Sequence, residues 1–87
     1  MADASLMLDR LADSRRLTIL WHLAQGGKTA EDLVRATGLE PCAVAEELRR
    51  LRDMGFVAAR APDGAEVHIL RDPKVERVMV VLDELFG

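Results

Sequence analysis

Residues 28–57, KTAEDLVRATGLEPCAVAEELRRLRDMGFV, carry two short helical patterns that meet at Thr37-Gly38-Leu39 and run directly into a strand-like segment. The first pattern opens at Thr29, an N-cap residue whose hydroxyl can accept from an early amide, with Asp32 placed to reciprocate three residues on. Ala30, Leu33, Val34 and Ala36 form its inward face. Gly38 supplies the permissive backbone of a sharp turn, and Pro41 suits the first turn of a second helix. There Val44, Leu48 and Leu51 recur at helical spacing until Gly55 closes the segment. This order reads as a helix-turn-helix followed by a wing, although the same spacing serves any compact helical hairpin.

Toward the N-terminus, Leu6, Met7, Leu8, Leu11 and Ala12 predict a short first helix, broken near Asp13-Ser14. A second helix is expected over 15–25, where Leu17, Ile19, Leu20, Trp21, Leu23 and Ala24 cover much of the circumference and Gly26-Gly27 ends it. Such a helix is buried on more than one side. Toward the C-terminus, runs 56–60 and 66–70 flank Pro62-Asp63-Gly64 and predict a β-hairpin. Asp72-Pro73 then opens a last helix as N-cap and first helical residue. The expected fold is mainly α with a small β-hairpin (α+β), a single winged helix-turn-helix domain over 1–87.

Val75, Val78, Met79, Leu82, Leu85 and Phe86 lie along one stripe of the last helix, widened by Val80 and Val81. A core this small cannot bury all of it, so pairing of two copies through the terminal helices is expected, with Leu6 and Met7 contributing from the first.

With 87 residues there is room for one modest core and no second lobe, which argues against an enzyme with a deep cleft. Hydrophobic content of 49% with only two Phe, one Trp and no Tyr gives an aliphatic core. The net charge of −3 offers no global attraction to nucleic acid, so phosphate binding must come from local arginines. The single cysteine, Cys42, cannot form an intramolecular disulfide, and no signal peptide or membrane-spanning run is read; the cytoplasm is the expected compartment. Cys42 itself reads as a small packing residue near a helix start, a position that can also lower a thiol pKa and make it redox-active. His22 and His68 have no ligand cluster or nucleophile beside them, and no catalytic residues, metal ligands or cofactors are expected.

The stretch Leu11-Ala12-Asp13-Ser14-Arg15-Arg16-Leu17-Thr18-Ile19-Leu20 resembles the opening of the ArsR/SmtB winged-helix family, typically Leu-Ala-Asp-Pro-x-Arg-x-x-Ile-Leu. Gly38-Leu39, Leu48-Arg49-Arg50-Leu51-Arg52, Met54-Gly55-Phe56-Val57 and Asp72-Pro73 extend the resemblance over nearly the whole chain. It implies a homodimer that binds an operator and releases it on sensing a ligand. The sensing chemistry departs from the family. Thr29-Ala30-Glu31-Asp32-Leu33 stands where many members carry Cys-x-Cys-Asp-Leu, and Asp72-Pro73-Lys74 stands where a second site has Asp-x-His. Hard oxygen donors are poor substitutes for thiolates toward soft metals.

On a DNA-binding reading, residues 41–50 enter the major groove, and Arg35, Pro41, Cys42, Ala43, Glu46, Arg49, Arg50 and Arg60 are the expected contacts. Glu40, Glu46 and Glu47 would then face phosphates, which a carboxylate tolerates only by accepting from a base such as cytosine through N4. On the bland reading, the arginines pair with Glu46 and Glu47 at i,i+3 and i,i+4 on a solvated face. Two functions stand: a repressor-type transcriptional regulator binding double-stranded DNA as a homodimer, or an interaction module whose acidic face, Glu40, Glu46, Glu47, Asp63 and Glu66, engages a protein partner.

Overall fold

Helix α1 (Ser14–Ala24) stands at the centre of the structure, a computed structural model that describes residues 14–86. Strand β1 (Lys28–Thr29), α2 (Ala30–Thr37), α3 (Pro41–Asp53), β2 (Val57–Arg60), β3 (Val67–Leu70) and α4 (Pro73–Phe86) follow in order. Ile19, Leu20 and Leu23 of α1 are buried and pack with Leu33 of α2, Val44, Leu48 and Leu51 of α3, Phe56 and Val57 at the start of the wing, and Val75 and Met79 of α4. Each such side chain stabilises the fold by about 1.5–3 kcal/mol on leaving water.

The local signals act as their chemistry predicts. Thr29 Oγ1 accepts from the Asp32 amide at 3.1 Å, and the Asp32 carboxylate accepts from the Thr29 amide at 3.2 Å, a reciprocal capping box at the start of α2. These bonds, with Arg35 alongside, hold the Asp32 carboxyl below its ordinary pKa. Gly38 ends α2 at φ 73°, a left-handed conformation disfavoured for residues with a Cβ, and its amide donates to Val34 O. Asp72 Oδ1 accepts from the Lys74 amide at 2.9 Å ahead of Pro73, which caps α4.

The sheet has three strands where the sequence predicts two. Its order is β1-β3-β2, antiparallel throughout, with Lys28 opposite His68, Thr29 opposite Val67 and Arg60 opposite Val67 on the other side. A two-residue strand leaves no alternation to detect. Gly27, read as part of a helix stop, has a tertiary reason as well: a Cβ there would come within 2.7 Å of Val67 Cγ1. The base of the hairpin is closed by the Arg71 amide donating to Phe56 O at 2.9 Å.

The stripe of α4 divides. Val75 and Met79, expected in a dimer interface, are instead buried in the core of their own chain at 0% and 2% exposure. The sequence period shows that α4 has a broad apolar face but not where the core boundary crosses it. Val78 and Leu82 pack against that boundary, and Leu85 is 69% exposed. Leu6 and Met7 lie outside the described residues, as does the Phe86 side chain.

Candidate nucleic-acid interface

Helix α3 buries Val44, Glu47, Leu48 and Leu51, which share one face at i, i+3, i+4 and i+7. At about 3.6 residues per turn the opposite line is Cys42, Glu46, Arg49 and Asp53, all exposed. Pro41 and Arg50 are also exposed, whereas Ala43 is half-buried. Cys42 is therefore not the packing residue the sequence suggests; its thiol lies on the open surface near the start of α3.

Glu47 is the larger correction. Expected on a solvated face, it is 4% exposed and forms an ion pair with the Nε of Arg16, which reaches across from α1. Its place among Val44, Leu48 and Leu51 is the sequence signal that marks it as an inward residue, and a carboxylate there requires a cation. Arg16 provides one.

The surface arginines divide into paired and unpaired sets. Arg50 donates to Glu46 Oε1 at 2.6 Å and lies 3.8 Å from Glu47 Oε2, while Arg35 pairs with Asp32 at 2.7 Å. Of the arginines expected to pair with Glu46 and Glu47 on a solvated face, Arg50 alone does so among the described residues, and Glu47 is buried; Arg35 and Arg52 pair with Asp32 and Glu66 instead. Arg49 and Arg60 form no ion pair with any described residue. Exposed and uncompensated, they are the two expected contacts freest to meet phosphate.

Glu66 ties the wing to α3. Its Oε1 lies 3.6 Å from Arg52 Nη1 on α3 and 3.5 Å from His68 Nε2 on β3. His68 is 3% exposed, and its Nδ1 has no hydrogen-bond partner among the described residues. Burial lowers its pKa below the ordinary 6.5, Glu66 pulls it upward and Arg52 opposes that pull. Because the folded state resists protonation, the contribution of neutral His68 is complete above pH 6.5 and is lost as pH falls below it, where the unfolded chain takes the proton first. The urea midpoint is thus expected to drop between about pH 7.5 and about pH 5.5, and His68→Asn to flatten that drop. Equal slopes in both proteins would argue against it.

Between α1 and α4, Trp21 donates through Nε1 to Asp83 Oδ1 at 3.2 Å. Trp21 is 39% exposed, and Val80 and Val81 are 49% and 46% exposed. Apolar side chains thus remain uncovered there within one copy.

The counterpart of the family's thiolate motif does not fit a soft metal. Thr29 Oγ1 and the Asp32 oxygens are engaged in the capping box and the Arg35 pair. Among the described residues, no group of three or more His, Cys, Asp or Glu converges to hold a metal ion, and no helix is long and apolar enough to cross a membrane.

Residues 13–59 match the profile of the bacterial regulatory protein family arsR. The transcriptional regulator NmtR of Mycobacterium tuberculosis is 35% identical over 78 residues, 90% of this chain and 65% of NmtR, so the chain spans just under two thirds of that relative. The transcriptional regulator HlyU from Vibrio vulnificus superposes with a TM-score of 0.93 at 27% identity, covering 99% of this chain and 90% of that one. The homodimeric winged helix-turn-helix DNA-binding domain of Mb0332 from Mycobacterium bovis gives 0.77 at 28% identity, covering 97% and 79%. With its capped helix-turn-helix and three-stranded antiparallel sheet, this chain belongs to the ArsR family of bacterial transcriptional regulators.

Proposed function

We propose that the protein is a repressor-type regulator that acts in the cytoplasm, binding double-stranded DNA as a homodimer and working without the metal ligands usual in its family. The observation that carries this reading is the outer line of α3, where Arg49, like Arg60 at the end of β2, is exposed and forms no ion pair with any described residue. Paired recognition helices in successive major grooves, about 34 Å apart, would set both arginines against phosphates. The exposed Trp21, Val80, Val81 and Leu85 supply apolar surface for the pairing, and the described Mb0332 domain is itself homodimeric.

Titration of a promoter duplex and a random duplex at several salt concentrations, with sedimentation to follow the dimer, tests the reading. Arg49→Ala is expected to weaken binding to all sequences alike and to flatten the log–log salt slope by about 0.9 for each phosphate contact removed. A wild-type protein that shows neither a salt slope nor preference for its promoter would sink the proposal. The alternative, an acidic face for a basic protein partner, retains less free charge, since Glu47 is buried and Glu46 and Glu66 face Arg50 and Arg52. Copurification of a protein in place of DNA would favour it.

A further inference from the structure

We infer that Glu46 is a specificity-determining residue that reads cytosine in the major groove, an inference that rests on the DNA-binding reading. Glu46 lies on the line of α3 opposite the buried stripe, where a side chain entering a groove meets base edges. An ionised carboxylate only accepts hydrogen bonds. Guanine offers N7 and O6 acceptors and thymine an O4 acceptor, which repel it; adenine sets its N6 donor beside an N7 acceptor; cytosine presents the N4 donor alone. Cytosine is the base whose edge suits a carboxylate without a penalty.

Two further features make Glu46 fit for that task. Arg50 holds its Oε1 at 2.6 Å, screening the charge against nearby phosphates, while Oε2 takes no bond from any described residue. Arg50 is in turn steadied by Glu47, which Arg16 holds from α1. A chain of alternating charge therefore runs from the partly buried Arg16 to the exposed Glu46, and it biases the outermost carboxylate toward Arg50 only weakly, as a solvent-exposed pair does.

Glu46→Gln keeps the size of the side chain but adds an amide donor, and Gln pairs bidentately with adenine N6 and N7. Selection from a pool of random duplexes, followed by affinity measurement on single-base variants of the enriched site, tests the inference. The wild-type protein is expected to prefer cytosine at one position of each half-site by about tenfold, within the discrimination of a good base contact. Glu46→Gln should shift that position to adenine by a similar factor, and Glu46→Ala should leave it without preference. Since Glu46 is exposed, neither change threatens the fold. A clear wild-type motif that both variants reproduce unchanged overturns the assignment while leaving DNA binding intact. A pool from which the wild-type protein enriches nothing overturns both.

Discussion

Replacing Arg16 with Ala is expected to destabilise the protein by about 3 kcal/mol, because it strips the partner from a carboxylate buried inside the fold. The Glu47 side chain is 5% exposed and the Arg16 side chain 14%, so neither charge regains full hydration when the other is removed. Arg50, 3.8 Å away and half exposed, offers Glu47 only weak compensation. The loss would consume a large share of the roughly 5–15 kcal/mol typical of a domain. The pair itself need not be a net gain over apolar residues. Arg16→Met combined with Glu47→Leu is expected to restore stability close to wild type, since a leucine in place of Glu47 would extend the stripe of Val44, Leu48 and Leu51. Urea denaturation of Arg16→Met, Glu47→Leu and the double variant, alongside Arg16→Ala, measures this coupling. A loss below about 0.5 kcal/mol for Arg16→Ala would show that water reaches Glu47 freely, contrary to its burial.

Leu20→Ala should cost a similar amount, about 3 kcal/mol, for a different reason. Leu20 is fully buried on the helix that packs against α2, α3, α4 and β3, so the space it vacates has neighbours on several sides that cannot all collapse into it. In a domain of this size the melting temperature is expected to fall by roughly 15 °C, read by circular dichroism. A fall of only a few degrees would mean that the elements around α1 relax to fill the cavity. Unlike Arg16→Ala, no second substitution at a single position repairs this loss, because a cavity removes contacts from all its lining residues at once.

Much of the architecture is legible along the chain. Thr29 and Asp32, Gly38, Pro41 and Asp72-Pro73 act within one helical turn of their own backbone, and their capping and turn chemistry operates in the structure as spacing alone predicts. The wing is also local, since Pro62-Asp63-Gly64 separates the two runs that become β2 and β3. The candidate interface is less legible. The i,i+4 pair of Arg50 with Glu46 follows from spacing, but the orientation of Glu47 depends on whether an arginine 31 residues earlier reaches it. The sequence shows five carboxylates on surfaces that would meet DNA; folding withdraws one of them and sets two others against Arg50 and Arg52.

The order of residues along the chain suffices for the helix-turn-helix, its caps, the hairpin and the family, because those depend on hydrophobic period and on hydrogen bonds between residues a few positions apart. Packing in three dimensions was needed to bring β1 into the sheet, to require that Gly27 clear Val67, to assign Val75 and Met79 to the core, and to make Glu47 a buried partner of Arg16. The physical reason is that solvent exposure and charge pairing between distant segments exist only once those segments have packed. A period can say which side chains share a face, but the neighbour that covers that face is chosen by the fold.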